Sequence, residues 1–278
     1  MKESRVLTYR QSKPGQLKCV LDLSLLYPSE DGRKRFRREF KKFVNLKSDR
    51  YNKEVYTLKD DQLIFFSEQL IPEKTDTRTS LLMVFGNPTP RSVREGMFFS
   101  FEGDHHEHRF WKHILPAKIL NLEFDNSFPP EERNKERKRR LLDLTYDSQF
   151  RLGLCVFLTL PSEASGSCWS GVAGIKRLLG AKAIKRVFDD ERDRIVKIAE
   201  DFLSGGGAVA TFQRDAWEAL RCHGDPKYAL KYAKRGELRG TLIGSRNIPL
   251  YGLPPTRLTG PCQKVLGQVA TEIISLAS

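Results

Sequence analysis

Two neighbouring stretches hold the residue types best suited to act on a ligand. Gly86-Asn87-Pro88-Thr89-Pro90-Arg91-Ser92-Val93-Arg94-Glu95-Gly96-Met97-Phe98-Phe99-Ser100 sets a carboxamide just after an apolar run, and His108-Arg109-Phe110-Trp111-Lys112 follows with an imidazole, cations and aromatic rings. A carboxamide can accept a hydrogen bond from water while it donates elsewhere, and an aromatic ring can stack on a flat ligand. Gly-Asn-Pro taken alone is a turn sequence. His105, His106, His108 and His113 raise the idea of a metal, but no Cys or carboxylate stands at ligand spacing from them. Cys19, Cys155, Cys168, Cys222 and Cys262 are scattered without a CxxC pair and are expected to be reduced thiols, with Cys155 buried in an apolar run.

The elements that must position these residues show in the periodicity. Ser80-Leu81-Leu82-Met83-Val84-Phe85-Gly86 reads as a strand buried on both faces. In open parallel sheets the ligand crevice lies at the carboxyl ends of strands, which is where Asn87 falls. A helix is expected over residues 107–120, and a strand from Leu152 to Leu160 that ends at Pro161 and Ser162. The charged run 131–140 is expected to be an exposed loop or helix whose cationic end could touch a nucleic-acid backbone. Helices are expected over Gly171–Leu179 and Glu191–Leu203, a strand over Ala208–Phe212 and a helix from Asp215. A last strand within 240–253 and a closing helix after Pro254-Pro255-Thr256-Arg257 complete the pattern. Upstream, Phe36, Phe40 and Phe43 recur at helical spacing in a basic stretch, so one aromatic face packs while the cationic face stays wet. Strands that alternate with helices point to a parallel α/β sheet.

The segment from Gly86 to Lys112 resembles the first active-site motif of the uracil-DNA glycosylase superfamily, closest to its mismatch-specific uracil/thymine branch. There Asn-Pro follows a strand, Gly-x-x-Phe comes later and Arg-Phe-Trp-Lys opens a helix. The resemblance implies that Asn87 positions or activates the attacking water. It also implies that Phe99, twelve positions on, stacks on the flipped base, with Gly86 and Pro88 beside it. Phe98, Phe110 and Trp111 are expected in the core. Arg109-Phe110-Trp111 comes a few residues late, so residues 101–107 read as an insertion. Phe150-Arg151-Leu152-Gly153-Leu154 leading to Pro161-Ser162 resembles the second family strand, a pattern also common in other α/β proteins.

The family's second motif, His-Pro-Ser or Asn-Pro-Ser followed by a wedge residue, is best matched by Leu253-Pro254-Pro255-Thr256-Arg257-Leu258. The match implies that Pro255 and Thr256 meet DNA and that Arg257 or Leu258 fills the gap left by the base. Pro254 stands where the usual His or Asn would be and has no side-chain donor for the departing base oxygen. A backbone N–H, or Ser245, Arg246 or Asn247, would have to supply one.

Residues 80–278 are therefore expected to form a three-layer α/β/α domain around a four-stranded parallel sheet, with residues 1–79 as a basic N-terminal extension. The formal charge of +13 suits a nucleic-acid partner, either double- or single-stranded DNA carrying a modified base. No run of about 18 apolar residues marks a membrane span, and the N-terminus lacks the apolar core of a signal peptide. The expected protein is a cytoplasmic monomer, nucleoid-associated or nuclear according to its host. It is a monofunctional glycosylase of base-excision repair that needs no metal or other cofactor and no lysine nucleophile. The alternative is a catalytically inactive DNA- or RNA-binding protein on the same fold. A nucleotide- or tRNA-modifying enzyme is less favoured, because no Gly-rich phosphate loop is present.

Overall fold

The computed structural model describes residues 4–46, 51–101, 106–116, 118–122, 124, 128–245 and 247–277. The chain divides into two compact units that interleave along the sequence.

The first unit comprises Met1–Gln69, Gly86–Phe98 and Val156–Arg194. It carries β1 (Leu7–Lys13), β2 (Gln16–Asp22), β3 (Tyr56–Lys59) and β4 (Gln62–Leu70). β2 pairs antiparallel with β1 and β4, and β3 pairs antiparallel with β4. On β2 the odd-numbered residues Leu17, Cys19 and Leu21 are buried between half-exposed neighbours, the alternation of a sheet with one covered face. The helix Glu30–Val44 turns Phe36, Phe40 and Phe43 inward, as their spacing predicts. Phe40 and Phe43 meet Tyr56 edge-on, at centroid distances of 5.7 and 5.6 Å. The Ser29 hydroxyl caps this helix by accepting from Gly32 N–H, and Glu30 and Asp31 stand at its positive end. On its wet face Arg33 and Arg37 pair with Asp61, and Arg38 and Lys42 with Glu39, whereas Lys34, Arg35 and Lys41 are exposed.

A buried polar network also lies in this unit. The Arg194 guanidinium and the Glu191 carboxylate, each with 0 % side-chain exposure, pair at 2.7 Å. Arg194 also donates to Gln69 Oε1 at 3.0 Å and to the carbonyls of Val156 and Phe157, while Glu191 accepts from the backbone and hydroxyl of Thr159.

The second unit comprises Leu70–Phe85, Phe99–Cys155 and Ile195–Ser278. It carries β5 (Thr79–Phe85), β6 (Phe150–Val156), β7 (Gly207–Thr211), β8 (Arg239–Thr241) and β9 (Pro249–Gly252), in the order β6-β5-β7-β9-β8. β5 pairs with β7 and β7 with β9 in parallel, while β8 closes the edge antiparallel to β9. β5 and β6 are buried almost throughout, which accounts for the apolar runs Leu81–Phe85 and Leu152–Val156 within them. Gly207 is required where β7 meets β5, because a Cβ there would lie 2.0 Å from Ser80 O.

The mixed α/β class holds, but the expected four-stranded parallel sheet does not. Nine strands are present among the described residues, with antiparallel pairs as well as parallel ones. The N-terminal extension contributes strands β1 to β4, and the single strand expected within 240–253 is two strands joined by a turn. The helix expected over 107–120 shrinks to one π-helical turn, Phe110–Ile114. Its peptide groups find partners locally: Phe110 N–H bonds the His108 ring, and Leu115 N–H bonds Phe110 O. The charged run resolves into the helix Pro130–Asp143. No helix among the described residues is long and apolar enough to cross a membrane.

Candidate functional site

The first unit builds a rigid seat for Asn87. Gly86 O accepts from Leu158 N–H at 2.8 Å and Pro88 O from Ser162 N–H at 3.0 Å, so the loop is bonded to the segment after β6 on both sides of Asn87. Thr89 then caps the short helix Pro90–Glu95 through its hydroxyl, and Pro90 takes the first helical position, where its missing N–H costs nothing. Gly96 ends that helix in the left-handed region, at φ 70°. The glycine of Gly-x-x-Phe is thus a helix cap.

The amide orientation of Asn87 follows from its neighbours. Its Nδ2 lies 2.8 Å from Ser162 Oγ, 3.3 Å from Leu160 O and 3.4 Å from Pro88 O. The two carbonyls can only accept, so the NH2 must face them, and Oδ1 is left to accept from water or from a ligand. Ser162 is itself only 1 % exposed, and the Pro161 carbonyl before it accepts from the Tyr56 hydroxyl at 2.6 Å. Tyr56 and Ser162 buttress Asn87 and its loop. The sequence marks Ser162 only through a weak strand-loop resemblance and Tyr56 not at all.

Glu68, on β4, is buried in the same unit beside Ser92 of the capped helix, and its Oε2 has no hydrogen-bond partner among the described residues. Burial pushes its carboxyl up to about 8, against an opposing hydrogen bond to Ser92, so it is mainly neutral at pH 7. The folded value lies above the ordinary 4.5, so folding takes up a proton. The resulting stabilisation is complete below about pH 4.5 and is lost as pH rises toward about 8. Glu68→Gln should therefore flatten the pH dependence. In urea titrations at pH 5 and pH 8, the wild-type stability should fall relative to the variant by on the order of 3 kcal/mol.

In the second unit Phe99 adopts φ 49°, an unusual backbone for a bulky residue and one that tends to persist where the surroundings impose it. Its ring lies 4.5 Å from that of Phe110 and 4.7 Å from that of His108, both tilted, and 5.0 Å edge-on from Phe85. Phe98 is 1 % exposed, as expected for a core ring, whereas Phe99 is half-buried. Phe110 and Trp111 are buried. Burial pushes the His108 imidazole down to about 4, so the ring is neutral at pH 7. Its Nδ1 accepts from Phe110 N–H at 3.1 Å, which places the proton on Nε2.

The other expected residues of the second unit follow β9. Leu253 N–H bonds Thr211 O, Pro254 is buried, Pro255, Thr256 and Leu258 are half-buried, and Arg257 is exposed. A turn bond from Leu258 N–H to Pro255 O holds Arg257 outward. Ser245 donates to Leu242 O at 2.8 Å, so its hydroxyl proton is already engaged. Asn247 is exposed, and Arg246 lies outside the described residues, as does His105. Among the described residues no three His, Cys, Asp or Glu side chains gather as a metal site. Burial pushes the thiols of Cys19 and Cys262 up to about 12, which removes them as nucleophiles. No family model matches the chain, and no curated protein matches it.

Proposed function

We propose that the protein is a monofunctional DNA glycosylase that hydrolyses the N-glycosidic bond of a deaminated or damaged base, uracil first, and leaves an abasic site for base-excision repair. The observation that carries this reading is the fixed carboxamide of Asn87, whose NH2 is held by Ser162, Leu160 and Pro88 while Oδ1 stays available. Oδ1 accepts a hydrogen bond from the attacking water and aims its lone pair at the anomeric carbon. The sugar becomes cationic as the base leaves as an anion, the water oxygen bonds to that carbon, and the proton it releases passes through solvent to the base anion. Phe99 stacks on the extruded base, and Gly86 and Pro88 are the further base-binding residues of this reading. Pro255 and Thr256 meet the backbone or the sugar, and Arg257, exposed where Leu258 is half-buried, is the better placed of the two to fill the emptied stack.

Pro254 cannot donate to the departing base oxygen. We assign that hydrogen bond to Nε2–H of His108, a neutral donor in the same aromatic cluster as Phe99. His108→Phe keeps a ring against Phe99 and removes the N–H. It should lower kcat about tenfold or more with KM little changed, the loss of one hydrogen bond made mainly in the transition state. Phe99→Ala should instead weaken capture of the extruded base by about 10-fold to 100-fold, the worth of one base stack, read as a raised KM in assays of free base released from a uracil-containing strand.

The buried Pro254 favours one other reading, a protein that binds nucleic acid on this fold without catalysis. Under it, oligonucleotides bind with a steep salt dependence and no base is ever released.

A further inference from the structure

A second cationic site lies in the second unit, built by the helix Pro130–Asp143 and the π-helical turn Phe110–Ile114. Together with Leu120, Asn121 and Phe124 they enclose a pocket of about 280 Å³. Arg137 forms its floor. This side chain is 4 % exposed, bonded to Asn134 Oδ1 at 2.9 Å and to Glu107, with its guanidinium 4.6 Å from the Trp111 ring centre and 5.1 Å from that of Phe124. Asn134 in turn donates to Ser100 O at 2.9 Å, which fixes the floor to the backbone. Arg133, one helical turn earlier on the same face, lines the pocket too, and its buried Nε has no hydrogen-bond partner among the described residues. The exposed Lys112 lines the pocket as well.

Among the described residues of its lining three cations meet one carboxylate, Glu107; burial lowers the pKa of Arg137, Glu107 opposes that shift, and the charge of Arg133 adds to it. A buried guanidinium nitrogen without an acceptor is costly, and with Arg137 paired to Glu107 the half-buried Arg133 and the exposed Lys112 leave a positive surplus that calls for an anion. The Arg133 guanidinium, beside the engaged one of Arg137, suits the oxygens of phosphate, and the Trp111 and Phe124 rings of the lining suit the sugar or base attached to it better than they suit a carboxylate on a peptide.

We propose that the pocket lined by Lys112, Arg133 and Arg137 binds the phosphate of a nucleotide, supplied by a polynucleotide backbone or by a free nucleotide. The site does not depend on Asn87 or on any bond-breaking step, so it stands or falls apart from the glycosylase reading.

The full chain and the variants Arg133→Gln, Lys112→Gln and Arg133→Lys would be titrated with undamaged duplex and single-stranded oligonucleotides at several salt concentrations, followed by fluorescence anisotropy. Adenosine monophosphate and inorganic phosphate would be titrated calorimetrically. For a backbone phosphate, Arg133→Gln weakens duplex binding about tenfold and makes the slope of log K against log salt shallower by about 0.9, while Arg133→Lys keeps most of the slope. For a free nucleotide, adenosine monophosphate binds the parent and not Arg133→Gln, and oligonucleotide binding is the same in both. The proposal is overturned if neither Arg133→Gln nor Lys112→Gln changes oligonucleotide affinity or slope and the parent binds neither small anion. Thermal melting of each variant separates a lost contact from a lost fold, and binding by Asn87→Ala equal to the parent's separates this site from catalysis.

Discussion

For the proposed glycosylase, Asn87→Ala lowers the kcat of base release by about 10²-fold to 10³-fold, while affinity for undamaged duplex stays within a factor of two. The asymmetry follows from the bonds around the side chain. The amide NH2 is committed to Ser162 Oγ and to two backbone carbonyls, so its energy goes into holding Oδ1 in one direction rather than into holding DNA. On the proposed reading truncation removes the acceptor for water and leaves the proposed phosphate-binding cations in place. Ser162→Ala is the graded control. It takes away one anchor at 2.8 Å and keeps Oδ1, so kcat falls by about tenfold, through looser positioning. Single-turnover kinetics on a uracil-containing strand, beside anisotropy on an undamaged one, read both quantities. Equal losses in binding and in turnover would make Asn87 a part of the DNA interface and not the orienter of water.

Arg194→Ala costs about 3–5 kcal/mol of stability, enough to unfold a chain of ordinary marginal stability. Both members of the Arg194–Glu191 pair have 0 % side-chain exposure, and removing the guanidinium leaves a buried carboxylate whose remaining partners are the amide and hydroxyl of Thr159. The carbonyls of Val156 and Phe157 and the amide of Gln69 lose a donor in the same step. Replacing both ions, Arg194→Met with Glu191→Leu, costs less than Arg194→Ala because no unpaired charge remains. The orphaned Thr159 N–H holds the residual cost at about 1–3 kcal/mol. Urea unfolding of the single and double variants measures the difference. A double variant less stable than Arg194→Ala would show that the network is worth more than the desolvation it requires.

The sequence exposes those parts of the fold whose burial is uniform or periodic along one element. The helix Gly171–Leu179 falls where its apolar spacing puts it, and β5 and β7 lie within a residue of the apolar runs that announce them. The extension is harder to read. β1, Leu7–Lys13, buries only its first residue and is held by its ladder to β2, so the sequence carries neither alternation nor an apolar run. The five-residue turn Phe110–Ile114 shares the aromatic and cationic residues of a helix start, but its contacts to the ring of His108 and to neighbouring aromatics replace a longer helix.

The candidate site divides in the same way. Asn87, Gly96 and Phe99 stand out in the sequence because they fall in one short stretch, and the structure gives each a local setting: a carboxamide after a strand, a left-handed helix cap and a half-buried ring. Ser162 is 75 residues from Asn87, and Tyr56 is 105 residues from the carbonyl it holds, so both contacts exist only once the chain has folded. Glu68 is hidden for another reason. A carboxylate in a strand that reads QLIFFSEQL looks like a solvent-facing position, and nothing local announces that it is buried.

The most direct test of the central claim is to incubate the purified protein with labelled oligonucleotides carrying uracil, hypoxanthine or xanthine, single-stranded and mismatched, then heat them in alkali. Cleavage at the modified position, absent with Asn87→Ala, is the result expected of a glycosylase and identifies its base. Intact strands across the whole panel, with DNA binding retained, would contradict the account and leave a protein that binds nucleic acid without acting on it.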